Sequence, residues 1–85
     1  MEYPYVLARI SPVVKAIGKL GGVLQTVEAV GGGVTPTMVR YWLKRDYVPP
    51  DKVGELSRCS GVPVEEFARH EMNKYLAKAV ERPGA

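Results

Sequence analysis

Apolar residues recur every three or four positions along most of the chain, and the interruptions fall at proline and glycine. That spacing predicts helices, because one face of an α-helix repeats about every 3.6 residues. Val13, Val14, Ile17 and Leu20 form the first run, opened by Ser11-Pro12 and stopped by Gly21-Gly22. A capping hydroxyl followed by proline suits a helix start, and glycine suits its end. A second helix is expected from Val23 or Leu24, with Leu24, Val27 and Val30 on one face and Ala29 beside them. Its end is left open by Gly31-Gly32-Gly33. Thr35-Pro36 repeats the opening device and starts a third helix to Lys44 or Arg45, with Val39, Trp42 and Leu43 inward. After an extended Tyr47-Val48-Pro49-Pro50 connector, a fourth helix runs to Cys59, with Val53 and Leu56 inward and Gly61 after it. A fifth follows Pro63, with Glu65 and Glu66 in its first turn, where acids suit the helix dipole, and Pro83-Gly84 ends it.

The expected fold class is therefore all-α, in one small domain of about five helices. Its 85 residues, 46% of them apolar, allow one modest core. No apolar run approaches the roughly 20 residues of a membrane span, so no membrane partner is expected. MEYPYVLARISP lacks a basic start and an apolar stretch, so it does not read as a secretory signal. Cys59 is alone, which suits a reducing cytoplasm. Residues 1–11 form an N-terminal arm that is β-permissive and otherwise undecided.

The net charge of +3 is unevenly spread. Residues 9–58 carry eight Lys or Arg against four acids, whereas residues 59–85 carry four of each. The excess falls in the stretch that contains the segment from Gln25 to Trp42, whose spacing is that of a helix-turn-helix. Counted from Gln25, a small Ala29 stands fifth, Gly33 ninth, Val34 tenth, Val39 fifteenth and Trp42 eighteenth. In such a unit the first helix lies across the major groove of DNA and the second enters it. Ala29 would let the helices cross, Gly33 would take a positive φ, and Val34, Val39 and Trp42 would anchor the inner face. The candidate base-contacting residues are Thr35, Pro36, Thr37, Arg40, Tyr41 and Lys44. Arg40 can pair with a guanine edge, and the threonines can meet bases or phosphate. Gln25, Arg45 and Lys52 are the candidate phosphate contacts.

The run from Gln25 to Trp42, with Gly21-Gly22 before it and Lys44-Arg45, Val48-Pro49 and Gly61 after it, resembles the Cro-like repressors of phages and prophages, Cro/YdaS-type regulators above all. The resemblance covers residues 12–67 and implies a lambda-repressor-like fold and a transcriptional regulator that reads double-stranded DNA. Three positions depart from that pattern. Gly32 stands where the family usually has a leucine-like core residue, Val23-Leu24 separate Gly22 from Gln25, and Pro36 replaces a commonly polar contact residue.

Residues 12–62 thus form the expected DNA-binding domain and 63–82 a C-terminal helix. Phe67, Met72, Tyr75, Leu76 and Val80 offer more apolar surface than a four-helix core needs, which points to a homodimer interface on that helix. The segment from Val34 to Pro50 also looks like the reading helix of MerR-like activators and excisionases, although residues 50–60 suit a helix better than a β-wing. A protein-interaction adaptor that keeps the fold without binding DNA is a further reading. No paired carboxylates, nucleophile–base arrangement or metal-ligand spacing around His70 appears, so no enzyme, small-molecule substrate, cofactor or metal is expected.

Overall fold

A computed structural model describes residues 11–80, with the helical backbone alone for residues 78–80. The expected arm at residues 1–10 and the Pro83-Gly84 stop lie outside the described residues. The described residues form an all-α domain of five helices: α1 Pro12–Leu20, α2 Val23–Val30, α3 Pro36–Arg45, α4 Pro50–Ser60 and α5 Val64–Val80. Among the described residues there is no strand, and no helix is long and apolar enough to cross a membrane.

The two hydroxyl–proline starts form as their chemistry requires. Ser11 Oγ accepts from the Val13 and Val14 amides at 3.0 and 3.5 Å. Thr35 Oγ1 accepts from the Met38 amide at 3.2 Å. Each removes an amide that the helix itself cannot satisfy. Gly21 closes α1 in the left-handed conformation, and the Gly22 amide then reaches back to the Ile17 carbonyl at 3.0 Å.

Every helix except α2 sends an apolar side chain into the fully buried core. Val13, Ala16 and Ile17 come from α1, Val39 and Trp42 from α3, Leu56 from α4 and Phe67 from α5. Val34, Val48 and Val62 complete it from the connecting segments. Two expected inward residues face solvent instead: Val14 and Leu24 are 52% and 63% exposed. The inward face of α2 is Val23, Thr26, Val27 and Val30, an i, i+3, i+4, i+7 row centred on a polar residue. Thr26 is completely buried because its hydroxyl donates to the Gly22 carbonyl at 2.8 Å, leaving its methyl to pack.

Asp46 closes α3 in the left-handed conformation at φ 57°, the one positive-φ residue other than glycine among the described residues. The Tyr47 amide then bonds the Trp42 carbonyl at 3.1 Å. Its carboxylate accepts from the Ser11 hydroxyl at the start of α1. His70 Nε2 of α5 lies 2.7 Å from the other carboxylate oxygen, and Lys74 Nζ donates to the Asp46 carbonyl at 2.7 Å. Partial burial pushes the Asp46 pKa up, but the Ser11 and His70 hydrogen bonds and the charges of His70 and Lys74 outweigh it, leaving the group below the ordinary carboxylate value. A second link, Lys15 to Glu66, joins α1 to α5.

Because the folded pKa of Asp46 is depressed, its contribution is present above the unfolded value and is lost as pH falls through the folded one. Asp46→Asn, which keeps a residue tolerant of the left-handed conformation, should lower neutral-pH stability by about 1–2 kcal/mol, the low end for a charged hydrogen bond because the site is part-exposed. In urea titrations the gap between wild type and variant should close as pH drops below the ordinary carboxylate value of 3.8. A gap of constant size down to pH about 2 would show that the charge is not what holds these helices.

Candidate nucleic-acid interface

Helix α3 has two faces. Val39 and Trp42 are buried at 0% and 3% exposure, and Met38 and Leu43 pack beside them. Thr37, Arg40, Tyr41 and Lys44 lie on the opposite side, all exposed and again spaced i, i+3, i+4, i+7. Thr35 at the cap is exposed and Pro36 half-buried, so the amino end of the helix continues the same surface. Among the described residues, Arg40 and Lys44 enter no ion pair. The row sets two cations, a phenol and a hydroxyl along a helix about 10–12 Å across with its side chains, a diameter that a major groove about 12 Å wide can admit.

The other candidates gather unevenly around that row. Arg45 donates from Nη1 to the Tyr41 hydroxyl at 2.6 Å and lies 5.3 Å from its ring centroid, so the two form one unit at the carboxyl end of α3. Lys52, in the first turn of α4, lies at the other end, with Nζ 3.4 Å from the Gly32 carbonyl. Gln25 is exposed, but it is the third residue of α2 rather than its first. Its side chain lies over the Gly21 corner, where an added methyl at Gly21 would stand 2.9 Å from Gln25 Cγ.

The helix-turn-helix spacing needs one correction. Helix α2 starts at Val23, as its apolar run predicts, and ends at Val30, two residues earlier than a motif counted from Gln25 implies. The extra pair sits in the turn, not ahead of the helix. Ala29 is exposed, whereas Thr26 is buried and Val27 packs against the core. Val30, the last residue of α2, packs against the core ahead of the glycines. The longer turn is possible because Gly31, Gly32 and Gly33 all take positive φ, at 65°, 57° and 85°. The expected positive φ at Gly33 is present.

The residues expected at a dimer interface also divide. Phe67 is 6% exposed and belongs to the monomer's own core, packed there because it is the first large apolar residue of α5 to face α1. Met72, Tyr75 and Leu76 are 56%, 75% and 53% exposed on the second half of α5. The Val80 side chain lies outside the described residues. Residues 50–60, where a β-wing would follow α3, form α4.

An apolar groove of about 270 Å³ is lined by Val13, Val48, Val53, Val64 and Phe67, with Tyr47, His70 and Glu71 at its edge. Among the described residues no three His, Cys, Asp or Glu side chains are grouped to hold a metal ion. The groups that sequence reading missed are Asp46, His70 and Lys74. Their contacts span 24 to 28 residues, and helical periodicity carries no trace of them. No family model, curated protein or solved structure matches the chain.

The turn makes its own prediction. An added methyl at Gly32 would meet nothing within 4 Å, so Gly32→Ala should cost only the left-handed backbone conformation, about 1 kcal/mol. Thermal unfolding should register this as a fall of about 4–8 °C. An unchanged midpoint would show that the turn does not hold a left-handed residue there.

Proposed function

We propose that this chain is a sequence-specific, double-stranded-DNA-binding transcriptional regulator of the Cro-like kind that inserts residues 35–45 into the major groove. The carrying observation is the exposed Thr37, Arg40, Tyr41 and Lys44 row on a helix whose opposite face is buried. Arg40 is the base reader, able to bond two acceptors on a guanine edge, and Thr35, Pro36, Thr37, Tyr41 and Lys44 line the same approach. Lys52 and the Arg45–Tyr41 pair stand at opposite ends of α3, where charge directed at phosphates would fix register. Gln25, exposed in the first turn of α2, is the third phosphate contact of this set. The exposed Met72, Tyr75 and Leu76 support a homodimer on a two-fold operator with half-sites about 34 Å apart.

Selection of bound sequences from a random duplex pool, followed by salt titration, tests this reading. Affinity for the selected duplex should fall steeply with salt, as phosphate contacts require. A salt-independent affinity, or no enriched sequence, would replace it with the adaptor reading. Arg40→Ala should weaken the selected duplex about tenfold to hundredfold and leave random duplex nearly unchanged. Lys52→Gln should weaken both alike and reduce the salt slope by about one. Sedimentation with operator DNA that shows only one protein copy per site would sink the dimer.

A further inference from the structure

The two ends of α3 are held differently. Its amino end rests on a local cap, Thr35, beside an exposed glycine turn. Its carboxyl end is gripped by other helices through Asp46. Ser11 reaches the carboxylate from α1, and α5 presents two side chains one turn apart, His70 to the carboxylate and Lys74 to the main-chain carbonyl. Lys74 is itself held by Glu71, 2.7 Å away. The His70 side chain is only 14% exposed, so little water competes for its bond to Asp46. Neither His70 nor Lys74 belongs to the α3 row, and neither is needed to fill the core that Phe67 already closes.

We propose that His70 and Lys74 are positioning residues for α3: by clamping Asp46 they set the angle at which Thr37, Arg40, Tyr41 and Lys44 are presented. This rests on the DNA-binding reading of α3. A helix of ten residues is about 15 Å long, so a tilt of about 10° about its carboxyl end displaces its amino end by about 2.6 Å. Paired hydrogen bonds to a base edge do not survive such a shift, whereas phosphate contacts made by long flexible cations do. Loss of the clamp therefore costs discrimination more than it costs attraction.

The test compares His70→Leu and Lys74→Met with the wild-type chain on the selected and random duplexes. The ratio of the two affinities is the readout, and amide hydrogen exchange at Tyr47 reports the cap directly. The expected result is a roughly tenfold fall in the ratio with faster Tyr47 exchange, and recovery of both in His70→Gln, which keeps a side-chain hydrogen-bond donor. Using both variants keeps the test open if one of them unfolds in urea controls. Faster exchange with an unchanged ratio, or equal losses on both duplexes, overturns the positioning role and leaves the DNA reading standing. A wild-type chain that selects no duplex overturns the DNA reading, and this proposal with it.

Discussion

The fold turns on a carboxylate placed where a glycine would ordinarily stand. A helix that ends in the left-handed conformation usually does so on glycine, because any Cβ there crowds the backbone. α1 and α4 follow that rule at Gly21 and Gly61, but α3 ends on Asp46. Aspartate accepts the strained conformation with less cost than most residues, and here its side chain does something glycine cannot. It joins the start of α1, the end of α3 and the middle of α5 at one point. With ten apolar side chains in the buried core among the described residues, the helices have limited surface with which to hold their mutual angles. A directional polar junction supplies the geometry that a small apolar core leaves loose.

Local chemistry was legible in the sequence, and distant chemistry was not. Ser11-Pro12 and Thr35-Pro36 announce helix starts because the capping contacts span two or three residues. Gly21-Gly22 and Gly61 announce ends for the same reason. The buried faces of α3 and α4 follow from apolar spacing alone. α2 misled because its central inward residue is a threonine, whose hydroxyl is silenced by a carbonyl four residues back. Counting only apolar letters places Leu24 inside; counting Thr26 as a core residue restores the correct face. Phe67 was assigned to an interface because the fifth helix reads as surplus until α1 and α4 are seen to cover its first half. The Asp46 junction was invisible for a plain reason: nothing in one sequence couples residues 11, 46, 70 and 74.

The error in α2 did not spread into α3, and the triglycine turn explains why. Two extra residues inside a helix would rotate everything after them by about 200° and bury the wrong face. Placed in a turn of three positive-φ glycines, they are absorbed before the next helix begins. Thr35-Pro36 then sets the phase of α3 afresh from its own cap. The exposed row therefore depends on Thr35 and on the inward Val39 and Trp42, and it is indifferent to how the chain counts through Gly31-Gly32-Gly33. The three glycines are what let α3 keep its own phase.

Helix α5 changes character along its length. Through Lys74 it belongs to the domain, with Phe67 in the core, Glu66 tied to Lys15, and His70 and Lys74 on Asp46. Over the same stretch and beyond, Met72, Tyr75 and Leu76 turn a second, apolar side to solvent. The two sides interleave, since Met72 lies between His70 and Lys74 and Tyr75 follows Lys74 directly. A partner pressed against the apolar side would thus bear on the same helical turn whose other side holds the cap of α3.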